Sequence, residues 1–238
     1  MTRRFFVADR VSGPQAVLEG SEAQHLIKVL RARSGDHVIL FDGSGYEFDA
    51  CVVRWGRDHV QLEILAERAV DRELPYPLTL GVALPKGPRQ GWLVEKSVEL
   101  GVTCLVPLRT LRGVAQPGEG ALARLRRAVI EASKQCGRNR LMEIAPPQSV
   151  GEFLRSVPVG GSRWIAHPDR DAVPLASRLD ELEGQPVFVA VGPEGGFAPE
   201  ELPPGGAEEW VTLGPRILRI ETAALMVAAA IGTAWNPE

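Results

Sequence analysis

The run from Phe188 to Phe197 combines an apolar strand with a glycine-rich loop, a common setting for ligand binding. In parallel α/β sheets, ligands bind beyond the carboxyl ends of the strands, and glycines there let backbone groups approach a ligand closely. The loop has neither the GxxxxGK[ST] pattern of a phosphate-binding loop nor the GxGxxG fingerprint of a dinucleotide site. We expect a ligand site that cradles neither a phosphate nor a pyrophosphate; the alternative is a purely structural turn.

A second run, from Leu213 to Ala223, again follows a predicted strand and opens the last predicted helix. Glu221 lies near the start of that helix, where the helix dipole and unpaired N–H groups favour a carboxylate. Ordinary helix-start chemistry is therefore an alternative to a catalytic role for Glu221. Arg219 stands between apolar neighbours, and its guanidinium could hold a carboxylate or stabilise developing negative charge.

A third strand, Arg163 to Ala166, ends at His167 and Pro168. Because parallel strands end at one edge of a sheet, the three strand ends could converge on one pocket. An isolated histidine is more often packed than catalytic, so we expect His167 to line that pocket without acid–base work.

The formal net charge of the chain is -3, so any affinity for nucleic acid must come from local basic patches. Residues 1–35 hold six basic side chains against three acidic ones, and residues 109–140 hold eight against two. Two solvated faces would explain the same charges.

The elements that must position these residues fall into two groups. Residues 1–72 consist of short strands with a hairpin signal at Asp42 to Gly45, which predicts a small β-barrel. After a linker with two prolines, strands alternate with helices, which predicts an α/β domain with a parallel sheet over residues 73–238. The predicted helices include His25 to Arg31, Pro174 to Leu182 and Glu221 to Trp235.

The three cysteines are isolated, and no Cys/His pair has metal-ligand spacing, so we expect no metal and a reducing cytoplasm. The N-terminus lacks the apolar run of a signal peptide. The longest apolar stretch, Ala223 to Gly232, is much shorter than the ~20 residues that span a bilayer. These features predict a cytoplasmic protein without a membrane segment.

The two glycine-containing runs resemble the signature of the ribosomal small subunit methyltransferase E family of the SPOUT superfamily. The matching residues are Gly192 to Phe197, Leu213 with Gly214, and Ile217 to Ala223. Further similar stretches are Arg3 to Val7, His25, Val29 to Arg31, Glu99 to Val102 and Ala132 to Arg138. The chain departs from the family at Lys134, where a glutamate is common, and at Met142, where a proline is common.

This resemblance implies an α/β fold: a SPOUT-type trefoil-knotted parallel-sheet domain behind a PUA-like β-barrel that docks RNA. It implies a homodimer that transfers a methyl group from S-adenosylmethionine to N3 of a uridine in 16S ribosomal RNA of the small subunit. The cofactor would be held by loops 192–196 and 213–219 and by the third strand end. The expected cofactor-binding residues are His167, Pro168, Val191, Gly192, Pro193, Glu194, Gly195, Gly196, Leu213, Gly214, Ile217, Leu218 and Arg219.

Methylation at N3 requires an unpaired base that has lost its N3 proton. We expect Arg219 to stabilise the resulting charge, with Arg3 or Arg138 as alternatives, and Glu194 to position the base or accept the proton. Glu194 could equally hold the glycine loop, and Glu221 is the third catalytic candidate. The expected RNA-binding residues are Arg3, Arg4, His25, Lys28, Arg31, Arg124, Arg127 and Arg138.

Two other functions fit parts of the sequence. One is a SPOUT methyltransferase that acts on another RNA position or on transfer RNA. The other is a non-catalytic RNA-binding factor of ribosome assembly, against which the two intact signature runs argue. The missing glycine fingerprint disfavours a nicotinamide-dependent enzyme.

Overall fold

The computed structural model describes residues 3–168, 171–203 and 209–234. The chain divides into two compact units, residues 1–72 with 133–141 and residues 73–132 with 142–238. The segment 133–141 therefore packs with the first unit, although it follows more than fifty residues of the second.

Among its described residues, the first unit contains five strands and the α-helix α1, besides a π-helical turn and the end of a later helix. They are β1 (Arg4–Phe6), β2 (Gln15–Glu19), α1 (Gly20–Gln24), β3 (His37–Phe41), β4 (Tyr46–Trp55) and β5 (His59–Ala69). The strands form one sheet in the order β1-β3-β4-β5-β2, in which the β1–β3 pair is parallel and the other pairs are antiparallel. Alternating side chains such as Ala16 and Leu18 of β2 face a core that includes Phe5, Leu40 and Leu62.

The sequence predicts a helix from His25 to Arg31. In the structure the helix α1 begins earlier, at Gly20, and continues as a π-helical turn over His25–Val29. Leu26 and Ala23 are fully buried on this segment. Arg31 follows the turn with a φ of 51°, the one positive φ of a non-glycine residue in the described part of the chain. Single π-turns and strained residues of this kind are frequent at functional sites.

The second unit consists of parallel strands and helices. They are β6 (Leu78–Val82), α2 (Arg89–Glu99), β7 (Cys104–Arg109), α3 (Glu119–Cys136), β8 (Glu143–Ile144), β9 (Gln148–Ser149), α4 (Val150–Arg155), β10 (Ser162–Ala166), β11 (Val173–Pro174), α5 (Ala176–Leu179), β12 (Val187–Val191), β13 (Glu209–Thr212) and α6 (Ile220–Thr233). The last four residues of α3 belong to the first unit. The predicted α/β class with a parallel sheet is confirmed.

The strand order of the second sheet is β11-β13-β10-β12-β6-β7-β8, with β9 paired to β7, and every pair among the described strands is parallel. The central strand β6 is buried at all five positions. A Cβ atom at Gly81 would lie 2.8 Å from the ring of Phe153, so glycine lets α4 pack directly on β6.

The last helix, α6, has one apolar face that is buried. Ile220, Ala224, Val227, Ala228 and Ile231 are buried and recur at helical spacing. The Tyr76 hydroxyl donates a hydrogen bond of 2.7 Å to the Ile231 carbonyl. The sequence predicts that α6 extends to Trp235, which lies outside the described residues. The predicted helix from Pro174 to Leu182 starts too early, because Val173–Pro174 forms β11 and α5 follows it.

Candidate functional site

The strand-end pocket is a cavity of about 260 Å³ at the carboxyl ends of β10, β12 and β13. The sheet order explains the convergence, because β10 lies between β12 and β13 and all three strands run in the same direction. The pocket is lined by residues 166–168, 191–197, 213–214 and 216–218, with Ile220 and Ala223 of α6. Every residue predicted to bind the cofactor lines it except Arg219.

The glycine loop, residues 192–198, forms one wall of the pocket. The Gly196 amide donates a hydrogen bond of 2.8 Å to the Pro193 carbonyl, which closes a turn, and Gly196 has a φ of 69° that favours glycine. A Cβ atom at Gly192 would lie 3.1 Å from the Phe197 ring. Glycine at these positions brings the backbone itself to the surface of the cavity.

Two side chains tie the glycine loop to the segment that follows β7. Arg112 donates a hydrogen bond of 2.6 Å from Nη1 to the Gly195 carbonyl. The Glu201 carboxylate accepts one hydrogen bond from the Leu111 amide, at 2.8 Å, and another from the Ala198 amide, at 2.7 Å. The sequence analysis assigned no role to Arg112 or Glu201, because no local pattern marks residues that meet only across the fold.

The arginine loop, residues 213–219, forms the opposite wall. Gly214 has a φ of 104°, and its amide donates a hydrogen bond of 3.3 Å to the Thr212 hydroxyl. Arg216 lines the pocket, whereas Arg219 is the exposed N-cap residue of α6 and does not line it. Of the two arginines that end this loop, Arg216 is the one that lines the pocket.

The two carboxylate candidates lie in different surroundings. Glu194 is exposed and lines the pocket, and no described hydrogen-bond donor contacts its carboxylate, which leaves the glycine loop without support from this side chain. Glu221 is 5% exposed, does not line the pocket and pairs with Arg89 of α2 at 3.1 Å. Its second oxygen is buried with no hydrogen-bond partner. Glu221 is therefore joined to α2 by an ion pair and lies outside the residues that line the pocket.

His167 lines the pocket as expected, and its ring meets the ring of Trp210 edge-on, with centroids 4.9 Å apart. The backbone amide of His167 donates to the Val211 carbonyl at 2.9 Å and so continues the β10–β13 pairing. The histidine is therefore held as part of the pocket wall.

Several basic side chains of the first unit are exposed, and three of them lie on or just after the π-helical turn. His25, Lys28 and Arg31 are exposed, and Arg3 is 39% exposed beside Asp36. Phe5, next to His25, is 1% exposed and belongs to the core, so it is not available to stack on a base.

Arg4 and Arg138, in contrast, are interior residues, and this corrects their assignment to a phosphate-binding surface. The Arg4 side chain is 10% exposed and pairs with Glu47, and its Nη2 donates to the Asn139 side chain at 2.6 Å and to the Gly137 carbonyl at 3.2 Å. Arg138 is 4% exposed. The two Nη atoms of Arg4 are used inside the unit, as expected because a buried charge must be paired.

The Glu47 carboxylate also accepts a hydrogen bond of 2.8 Å from Arg72. Burial by itself raises the pKa of Glu47, but the hydrogen bonds and charges of Arg4 and Arg72 outweigh burial and hold the pKa below its usual value. We call Arg4, Glu47, Arg72 and Asn139 the Arg4 cluster.

Lys134 stands where the family commonly has a glutamate. It pairs with Glu22 at 2.8 Å, and both side chains are largely buried.

Arg124 and Arg127, in the part of α3 that belongs to the second unit, are both exposed. Arg126, between them, donates to the Ile144 carbonyl at 3.4 Å.

Burial raises the pKa of the Cys104 thiol to about 12, aided by the charge of Glu143, so this cysteine is not a nucleophile at neutral pH.

Within the three described ranges, no group of three or more His, Cys, Asp or Glu side chains could hold a metal ion. No helix among the described residues is long and apolar enough to cross a membrane.

Comparisons with known proteins match both units. Residues 72–232 match the family model of the RNA methyltransferase domain, and residues 18–65 match that of the RNA methyltransferase PUA domain. Ribosomal RNA small subunit methyltransferase E of Synechocystis sp. is 32% identical, with 97% of this chain and 77% of the relative covered.

Two solved structures are similar over nearly the whole chain. The Neisseria gonorrhoeae ribosomal RNA small subunit methyltransferase E, bound to S-adenosylmethionine, is 32% identical with a TM-score of 0.88, covering 99% of this chain and 98% of that one. A Legionella pneumophila methyltransferase in complex with the same cofactor is 31% identical with a TM-score of 0.86, covering 98% of each chain.

Proposed function

Because this chain belongs to the ribosomal RNA small subunit methyltransferase E family, we propose that it transfers a methyl group from S-adenosylmethionine to a uridine N3 of 16S ribosomal RNA. The observation that carries the proposal is the strand-end pocket, with its wall of glycine backbone, in a chain whose second unit matches an RNA methyltransferase domain.

The pocket fits a nucleoside-type cofactor. Aliphatic side chains of Val191, Leu213, Leu218, Ile220 and Ala223 offer an apolar surface for an adenine ring, and the backbone of the glycine loop offers hydrogen-bonding groups. Bound there, S-adenosylmethionine would supply the methyl group of its sulfonium, which leaves as a neutral thioether. The residues that hold it are the predicted ones, with Arg216 in place of Arg219.

The chain must also bind and orient the uridine. The base has to leave its pairing partner, and positioning its N3 in line with the methyl group contributes up to ~7–11 kcal/mol in favourable cases. Arg216 would stabilise the negative charge that spreads over N3 and the two carbonyl oxygens when the N3 proton is lost. Glu194, exposed at the pocket and without a described partner, would position the base or accept that proton.

Exposed cations on each unit would bind the RNA backbone. In the first unit these are Arg3, His25, Lys28 and Arg31, and in the second unit they are Arg124 and Arg127. Such contacts position the RNA and make its affinity depend on salt. We assign residues 1–72 to RNA binding and residues 73–238 to methyl transfer.

Three further properties of the family complete the proposal. They are a trefoil knot around the cofactor, a homodimer, and a location in the cytoplasm, where the small ribosomal subunit is found. Light scattering of the purified protein tests the dimer directly.

The deciding experiment incubates the protein with labelled S-adenosylmethionine and small ribosomal subunits from cells that lack the modification. Nucleosides from the digested RNA are then identified by mass spectrometry. We expect the label in N3-methyluridine.

Label in another nucleoside, or in transfer RNA only, would retain the methyltransferase and replace its target. Cofactor binding without label would mean that the RNA is the wrong one. Neither binding nor label would overturn the enzyme and favour a non-catalytic factor of ribosome assembly.

A further inference from the structure

The glycine loop is held at two points by the segment that follows β7. Arg112 binds the Gly195 carbonyl near the middle of the loop, and Glu201 joins the Leu111 amide to the Ala198 amide at its end. These hydrogen bonds connect residues 83 and 90 positions apart in the chain. They join two strand-following segments of the same unit.

The stem of Arg112 also lies against the loop. A Cβ atom at Gly195 would lie 3.3 Å from Arg112 Cδ, so the side chain covers the loop backbone while its guanidinium bonds to the carbonyl. Arg112 itself does not line the pocket, whereas Glu194, Gly195 and Gly196 do. Its effect on a ligand must therefore act through the loop.

A loop with three glycines in five residues has more conformational freedom than other sequences, and ordering it opposes ligand binding. A chain held in the binding conformation before the ligand arrives avoids that cost. An unrestrained loop populates the competent conformation only part of the time, and the apparent affinity falls by that fraction.

We propose that Arg112 and Glu201 form a brace that pre-orders the glycine loop, which makes both of them positioning residues for cofactor affinity. The proposal rests on the proposed function, since it takes S-adenosylmethionine as the ligand of the pocket. The brace acts on cofactor binding, not on RNA.

The test measures the Kd of S-adenosylmethionine by calorimetry for four single variants and the wild-type chain. Arg112→Ala removes a charge-assisted hydrogen bond at an exposed side chain, and we expect a Kd up to roughly tenfold above wild type. Arg112→Lys keeps the cation and is expected to recover part of that loss. Glu201→Gln keeps the shape but puts an amide NH2 against a backbone N–H, so it should also weaken binding.

Arg109→Ala is the matched control, because Arg109 ends β7 just before the brace segment but pairs with Glu152 on the surface. Its Kd should stay within about twofold of wild type, as expected for an exposed ion pair. Arg112→Ala with Glu201→Gln should weaken binding by less than the product of the two single effects, since both residues restrain one loop.

The KM for RNA at saturating cofactor distinguishes the brace from a phosphate contact. An unchanged KM together with a raised cofactor Kd supports the brace, whereas a raised KM with an unchanged cofactor Kd would overturn it. If Arg112→Ala does not fold, Glu201→Gln and Arg112→Lys decide by the same comparison. If the wild-type chain binds no cofactor, the proposed function is overturned together with the brace. This outcome is seen before any variant is measured.

Discussion

The Arg4 cluster of the first unit and the strand-end pocket of the second unit use arginine in opposite ways. Arg4 has a side chain that is only 10% exposed, and its guanidinium contacts a carboxylate, an amide side chain and a backbone carbonyl. Arg216 is exposed and lines a cavity, and no hydrogen bond from its side chain occurs among the described residues. The two Nη atoms of Arg4 are taken up by its own chain, while its Nε is buried without a described hydrogen-bond partner, whereas Arg216 can receive a ligand.

The difference shows that an arginine near a signature motif indicates a function only once its partners are known. A largely buried guanidinium that bonds to a carboxylate, an amide and a carbonyl stabilises the fold, because leaving these partners unpaired is costly. An exposed one without partners costs little to maintain and is free for substrate. The predictions below test this division.

The largest effect is expected when the Arg4 cluster is broken. Arg4→Ala leaves the buried Glu47 with Arg72 alone, and removing one partner of a buried pair costs ~3–5 kcal/mol. We expect a loss of about 3 kcal/mol in the free energy of unfolding, at the low end because Arg72 remains. Urea unfolding measures it.

Arg3→Ala is the control for that experiment, since Arg3 pairs with Asp36 at the surface, where the side chains are 39% and 38% exposed. Its loss should stay below ~1 kcal/mol. Equal losses in the two variants would refute the division between interior and surface arginines.

The second effect concerns the pocket. Arg216→Ala should lower kcat by ~10²–10³, as does removal of a group that stabilises transition-state charge, with little change in thermal stability. Arg219→Ala, outside the pocket, should lower kcat much less. Single-turnover rates of both variants at saturating cofactor provide the measurement, and the reverse order would restore Arg219 as the charge-stabilising residue.

A third effect follows from the lowered pKa of Glu47. Burial raises this pKa, but the hydrogen bonds and charges of Arg4 and Arg72 lower it further than burial raises it. A carboxyl whose folded pKa lies below its unfolded value contributes stability above the unfolded value of ~4.3 and loses it as pH falls through the folded pKa. Melting temperature should therefore fall more steeply below about pH 4.3 in wild type than in Glu47→Gln.

The smallest effect is expected on the exposed face of α3. Arg124→Ala and Arg127→Ala should each weaken RNA binding modestly and reduce the slope of log Kd against log salt by ~0.7–0.9 for each phosphate that is no longer neutralised. Arg126→Ala is the matched control, because Arg126 donates to the Ile144 carbonyl. Equal slopes for all three variants and wild type would remove this face from the RNA interface.

Much of the fold could be predicted from the sequence because its signals are local. The sequence pattern predicts a strand from His37 to Phe41, which matches β3. It also predicts helices from Gln90 to Leu100 and from Gly120 to Gln135 and a strand from Pro186 to Val191, which lie within one residue of α2, α3 and β12. The strand β2 was missed, since five residues with two buried side chains carry little signal. The π-helical turn at His25–Val29 was missed because nothing in a periodic pattern distinguishes it from an α-helix.

For the site, the glycine loop and the arginine loop were identifiable from strand ends followed by glycine. The positions of Arg216 and Arg219 were not, because three residues of loop conformation decide which of them lines the cavity. Whether Arg4 and Arg138 lie in the interior or on the surface depends on segment 133–141 packing with the first unit. No local pattern in the sequence predicts that packing.

The sequence by itself determined the element types, the resemblance to one family and the loops that line the pocket. These follow from hydrophobic periodicity and glycine placement, which act over a few residues. Only the tertiary structure decided that β10 lies between β12 and β13, which arginines are buried, and that Arg112 and Glu201 hold the glycine loop. The physical reason is separation along the chain. Residues 83 and 90 positions apart come together only when the strands take their order in the sheet.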